Sequence, residues 1–447
     1  MTFKRNRPEI SFSAIAILLL VLLFFQTGCA PKIITTETVH DGLRSSISYD
    51  VDDGDSAVVK MLTFHRNDRP WEEIHYESGN FHGGYQLWYE NGQLKTEQYY
   101  KKGFPVKRWT WWDQEGRMDS VKHFSRGKLD GETIAWRKNG RKKRVVRYRE
   151  GFLSGASRAW FPNGQIESLE EYKADKLHGK SREWAENGRL LEGKLFRNGL
   201  PHGKWKWWNE FSKLDSQKVY HAGHLHGLSR RWYGSGNLQS VERYRAGKRE
   251  GRSTLWYEDG TKKLQTDLKD GLRHGKSVKR YSTGVTASEF EYVEGLRHGD
   301  QIRWSPSGQM QEHAIFLSGK PHSAIKWHPT GILKNVTAFS EDGPFWTVAW
   351  DRHGRRIEPG RRRDSTETVR EWYPNGRVSR EVDYQQDEKH GVEVQFDVSG
   401  KVQSLTVFIK GIPVQEMTWS ERGDELTERV FQDGRPLWTR EFVQPNR

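Results

Sequence analysis

The sequence predicts an all-β chain: an elongated antiparallel meander of about sixteen hairpin repeats of roughly 24 residues, forming a single-layer twisted sheet. Three observations predict it. Trp recurs at Trp88, Trp112, Trp136, Trp160, Trp184, Trp208, Trp232 and Trp256, and again at Trp304. Gly keeps the same step at Gly131, Gly155, Gly179, Gly203, Gly227, Gly251, Gly275 and Gly299. Turn signals fall between them, as in Asn91-Gly92, Asn139-Gly140, Asn163-Gly164, Asn187-Gly188 and Asn375-Gly376. One globular core does not need such regularity. A stack of like units does, because each unit must offer the same face to its neighbour.

One unit reads LHGKSREWAENGRLLEGKLFRNG over residues 177–199. Asn-Gly between two extended runs predicts a two-residue type I′ hairpin, with positive φ at both loop positions. A second Gly, such as Gly103, Gly127 or Gly199, marks the turn into the next unit. With Asn163 and Gly164 as loop residues, Tyr172 pairs with Gly155, and the same rule sets Tyr100 opposite Gly83. A ring lying over a glycine covers bare backbone, so the Tyr/Phe and Gly ladders read as one packing device. Apolar residues three apart on the return strand (Ile166, Leu169, Tyr172) predict a bulge there.

The regular repeats are expected over residues 57–340. Residues 341–370, with Gly343-Pro344, Pro359-Gly360 and Arg361-Arg362-Arg363, read as a distorted repeat or hinge. Divergent repeats follow over residues 371–443. Residues 1–28 read as an export leader: Lys4, Arg5 and Arg7 precede an apolar segment over residues 10–25, shorter than the roughly 20 residues of a membrane-spanning helix. Thr27-Gly28-Cys29-Ala30 then resembles a bacterial lipoprotein leader, which implies lipidation of Cys29, the only cysteine in the chain. Several acyl chains anchor stably where one is marginal. A single Cys excludes an intrachain disulfide and a Cys-based zinc site. Residues 29–56 read as the lipidated N-terminus and a flexible tether.

The His-Gly, Trp-Tyr, Asn-Gly, Tyr and Gly slots resemble the MORN-repeat superfamily, in the longer variant found in bacterial YwqK-type antitoxin-like proteins. The resemblance implies a sheet used as a scaffold or binding surface, and no catalysis. The expected function is therefore a non-enzymatic, lipid-anchored scaffold of the bacterial cell envelope that binds a protein or an anionic polymer. It would be held by its N-terminal lipid at the outer membrane, on the periplasmic or surface side. The alternative is an antitoxin or immunity-like protein that neutralises one toxin.

The formal net charge of +14 favours anionic partners, and export disfavours nucleic acid. No catalytic residue set, cofactor or metal site is expected. Equivalent His of adjacent units (His178, His202, His226) would lie about 9.6 Å apart, too far to share ligand bonds near 2.0–2.1 Å. The candidate binding surface is Trp109, Trp111, Trp205 and Trp207, interleaved with Lys107, Arg108, Lys204 and Lys206. Strand alternation points these four tryptophans away from the ladder Trp, as exposed contacts.

Overall fold

The computed structural model describes residues 32–52, 55–340, 343–357, 366–422 and 425–443. Cys29 and the leader lie outside them, as do residues 358–365 within the expected hinge. The described residues form forty β-strands and no helix. Thirty-three belong to one antiparallel sheet and seven, from Thr366–Trp372 to Arg435–Val443, to a second. Contacts divide the chain into two units, residues 1–128 and 129–447.

In the first unit successive strands pair as a plain meander. It starts earlier than expected. Residues 32–52, read as tether, are the paired strands Lys32–His40 and Leu43–Asp52. Their Ile, Thr, Val and Tyr content favours extended backbone. Hydroxyls face each other across the ladder, Thr35 to Ser48 at 3.0 Å and Thr38 to Ser45 at 2.8 Å.

The predicted register holds. Gly83 pairs with Tyr100, Gly155 with Tyr172 and Gly203 with Tyr220. The predicted bulge is present: Trp160 pairs with Ile166 but Ala159 with Ser168, so Glu167 is the extra residue. The turn chemistry, however, is exchanged between the two turns of each unit. At Asn91-Gly92 the Gly92 N–H donates to Tyr89 O, the Tyr89 N–H donates to Gln93 O, and only Gly92 has positive φ. That is a type I turn closed by a left-handed Gly, a three-residue loop. The type I′ pair is instead Lys102-Gly103, with φ 48° and 78°.

The Asn was selected for another reason. Its Oδ1 accepts from the Gln93 N–H, and its Nδ2 donates to Gln114 O in the next unit's turn. Asn163 repeats both bonds with Gln165 and Glu186. A parallel clamp recurs where a Tyr stands in the slot after the ladder Trp. The Tyr89 hydroxyl donates to Trp112 O, Tyr233 to Trp256 O, Tyr257 to Arg280 O and Tyr281 to Trp304 O. Each unit is thus stitched to the next at the turn edge, beyond its strand pairing.

The Gly ladder also has a second cause. Gly155 has φ 87°, a left-handed conformation that side chains resist, and a Cβ there would sit 3.3 Å from Arg147 Cδ. Lys107 occupies the equivalent slot one unit after Gly83 and adopts φ 60° without being glycine. Lys107→Gly is therefore expected to stabilise the first unit by about 1 kcal/mol, read as a higher urea midpoint at unchanged slope. An unchanged or lower midpoint would show that the strain is absent.

In the second unit the apolar content rises toward the C-terminus and the sheet acquires a second layer. Ile302, Ile325, Val336 and Val348 of the first sheet form one cluster with Val392, Val394, Leu405, Val407, Met417 and Leu426 of the second. Two faces that alternate apolar residues inward bury them against each other, as in a β-sandwich.

Candidate functional site

Two features of the second unit stand out: a basic groove on the array and a buried polar seam between the two sheets.

The groove begins beside Trp207, one of the candidate tryptophans. Trp205 sits between the rings of Phe196 and Tyr220, at 5.0 and 4.6 Å, and its Nε1 donates to Leu195 O at 2.8 Å. In the first unit Trp109 does the same between Tyr100 and Phe124, at 4.9 and 4.5 Å, and donates to Tyr99 O. These two rings are half-buried members of the Tyr/Phe row, where the sequence had pointed to exposed contacts. The orientation itself follows alternation: Trp208 packs over Gly193 on the opposite face. Trp111 and Trp207 stand one step out from the row, also half-buried. Lys122 lies over Trp111 at 5.2 Å and Lys218 over Trp207 at 5.7 Å. The Trp207 Nε1 donates to Glu192 Oε2 at 3.0 Å. Lys107, Arg108 and Lys204 are exposed, and Lys206 is half-buried.

A transverse row then leads away from Trp207 across the strands: Trp207 pairs with Ser216, Ser216 with Arg231, Arg231 with Ser240 and Ser240 with Leu255. Along it lies a groove of about 480 Å³ whose lining includes Lys218, Arg230, Arg231, Arg249 and Lys263, with Tyr244 and Trp256. Glu242 is the one carboxylate on its wall, and it pairs with Arg249 at 3.1 Å. The remaining cations leave the groove with a local positive excess that low-dielectric walls focus outward. Of the sequence candidates, Trp207 adjoins this groove; Trp109, Trp111, Lys107 and Arg108 belong to the first unit.

The seam is built from strands far apart in sequence. Asp300, on Leu296–Trp304, and His313, on Met310–Leu317, are diagonal neighbours on the inner face of the first sheet. Glu428, on Glu425–Gln432, meets them from the second sheet. His313 Nε2 lies 2.9 Å from Asp300 Oδ1 and 3.2 Å from Glu428 Oε2. Arg440 donates to Asp300 Oδ2 at 2.5 Å and to Glu289 Oε1 at 2.7 Å. Gln415 Nε2 donates to Glu428 Oε1 at 2.5 Å and its Oε1 accepts from the Ser323 hydroxyl at 2.6 Å. Asp300, His313 and Glu428 are all buried. Burial pushes the Glu428 carboxyl up to about 7. Burial also opposes charge on His313, but Glu428 and Asp300 outweigh it and the net direction is up. For Asp300 burial is likewise overcome, by the His313 and Arg440 bonds, and the carboxyl stays below its ordinary range.

A second buried ion pair closes the seam elsewhere. Arg356, on the last strand of the first sheet, meets Asp383 at 2.8 Å and Glu381 at 3.5 Å on the second.

The seam was missed in the sequence reading, though signals existed. Asp300 follows a ladder Gly, a slot that holds Lys180, Lys204, Arg252 and Lys276 in other units. His313 fills the slot of Val121, Val145, Leu169 and Val241. The first slot also holds Glu132, and the second Gln217, Gln265 and Glu289, so these two residues on paired strands were a weak signal of where the second layer docks.

Residues 81–102 and 153–174 match the family model described as MORN repeat variant. No curated protein matches the chain. Among solved structures the chain is similar to a chain of a mutant Photorhabdus luminescens Tc holotoxin pore. The identity is 10%, over 87% of this chain and 23% of that one, with a TM-score of 0.15, a likeness too weak to bear on fold or function. The chain spans less than a quarter of that protein's length.

Proposed function

We propose, from the premise of a MORN-variant repeat array, that this protein is a non-enzymatic binding scaffold for an anionic partner at the bacterial envelope, tethered by lipid on Cys29. The observation that carries the binding reading is the groove, where Lys218, Arg230, Arg231 and Lys263 face one carboxylate already neutralised by Arg249. Trp207 and Tyr244 add ring faces beside these cations. A phosphate- or carboxylate-bearing chain laid across the strands would meet several of these cations, and a rigid sheet loses little entropy in holding it.

The double variant Lys218→Glu/Arg231→Glu is expected to weaken binding of inorganic polyphosphate or polyglutamate at least about tenfold, and to flatten its salt dependence. Equal affinity in wild type and variant, or no binding by the wild type, would remove this reading. Anchoring is tested separately: Cys29→Ser should move the protein from the membrane to the soluble fraction, and retention in the membrane would count against lipidation.

A further inference from the structure

We propose that Asp300 Oδ1, His313 Nε2 and Glu428 Oε2 form a structural site for one divalent transition-metal ion, zinc by its donor set, that staples the C-terminal sheet to the array. The three atoms lie within 4.8 Å of one another and are buried, and they come from both sheets. His313 Nε2 stands 2.9 and 3.2 Å from the two carboxylate oxygens, a few tenths of an ångström inside the roughly 3.3–3.6 Å between atoms that each sit about 2.0–2.2 Å from a common tetrahedral centre, so a small outward shift admits the ion.

Proton accounting points the same way. Three acceptor-capable atoms converge, and the imidazole can supply one N–H between them. Given to Asp300, it leaves Glu428 Oε2 buried without a hydrogen-bond partner, as found among the described residues. An orphaned buried carboxylate oxygen is costly, and a cation in the middle satisfies all three atoms at once. Two carboxylates and a neutral imidazole balance a dication in charge.

The surrounding groups are placed as outer partners of such a site. Arg440 holds the far oxygen of Asp300 and Gln415 the far oxygen of Glu428, so each carboxylate has one oxygen left to give. The His313 ring is set by an edge contact with Phe442 at 5.7 Å. One imidazole with two single carboxylate oxygens suits zinc, whereas calcium takes six to eight oxygens.

The test uses the full chain. Metal analysis of the purified protein, and zinc titration after chelator treatment, should find one zinc per chain. Glu428→Gln keeps the shape and a carbonyl oxygen but loses the charge, and Asp300→Asn does the same on the other sheet. Each should lower zinc affinity at least about 100-fold, beyond the loss typical of an outer partner. His274→Asn, on a ladder histidine, should leave it unchanged. Absence of zinc binding by the wild type, or wild-type affinity in both carboxylate variants, overturns the site. Should both variants fail to fold, the wild type decides: zinc must raise its unfolding midpoint after chelation, and no rise overturns the proposal.

Discussion

Arg356→Ala is expected to destabilise the C-terminal unit by about 3–5 kcal/mol. Arg356 is 3% exposed, and its Nη2 lies 2.8 Å from Asp383 Oδ1 and 3.0 Å from Oδ2. Asp383 is wholly buried, and Glu381 beside it is 7% exposed. Among the described residues, truncation leaves Asp383 with the Thr368 hydroxyl and the weak Val392 N–H as donors. Glu381 keeps Arg370. The loss reflects an unpaired buried charge, so Arg356→Met/Asp383→Leu should recover most of it. The control is Arg252→Ala, which breaks the exposed pair with Asp267 and should cost less than about 1 kcal/mol. Urea unfolding followed by tryptophan fluorescence measures all three. A small effect of Arg356→Ala would mean that the two sheets are not held together at this point.

The sequence made the array legible because its marks are local and repeat. Gly155 against Tyr172, and the bulge at Glu167, follow from spacing within one hairpin. The turn types did not follow, since the Asn91 side chain serves the next unit's Gln114 carbonyl, a partner no single hairpin contains. Residues 32–52 read as a tether because they lack the ladder residues, although Asp41-Gly42 supplies a type I′ turn with φ 51° and 77°. The second layer was hidden for a different reason. Leu405 and Val407 keep the same alternation as strands of the open array, and what changes is which face they find opposite. Asp300 and His313 meet within one hairpin, and Glu428 and Arg440 within another, but the two pairs meet only after that docking, which spacing along the chain does not foretell.

Leu405→Ala is expected to cost about 2–5 kcal/mol, while Leu238→Ala costs about 1 kcal/mol, although the two deletions remove the same atoms. Leu405 is wholly buried between the sheets, in contact with the cluster of Ile302, Ile325, Val336, Val394 and Met417. Leu238 is half-buried on the array, opposite Trp232. A cavity opened inside a two-sided core cannot relax closed, whereas one at the surface of a thin sheet fills with water and with the neighbouring ring. In a repeat array each unit is stabilised mainly by its neighbours, so damage at Leu238 should remain local and broaden unfolding. Damage at Leu405 should move one cooperative transition as a whole. Hydrogen exchange resolves the two cases: Leu405→Ala should raise exchange together in strands Leu296–Trp304 and Ile412–Trp419, and Leu238→Ala only in the strands flanking Leu238–Arg245. Equal penalties at the two sites would mean that the second layer adds no core. The unequal result would place the stability of the chain at its C-terminal end, leaving the thin basic array free to serve as surface.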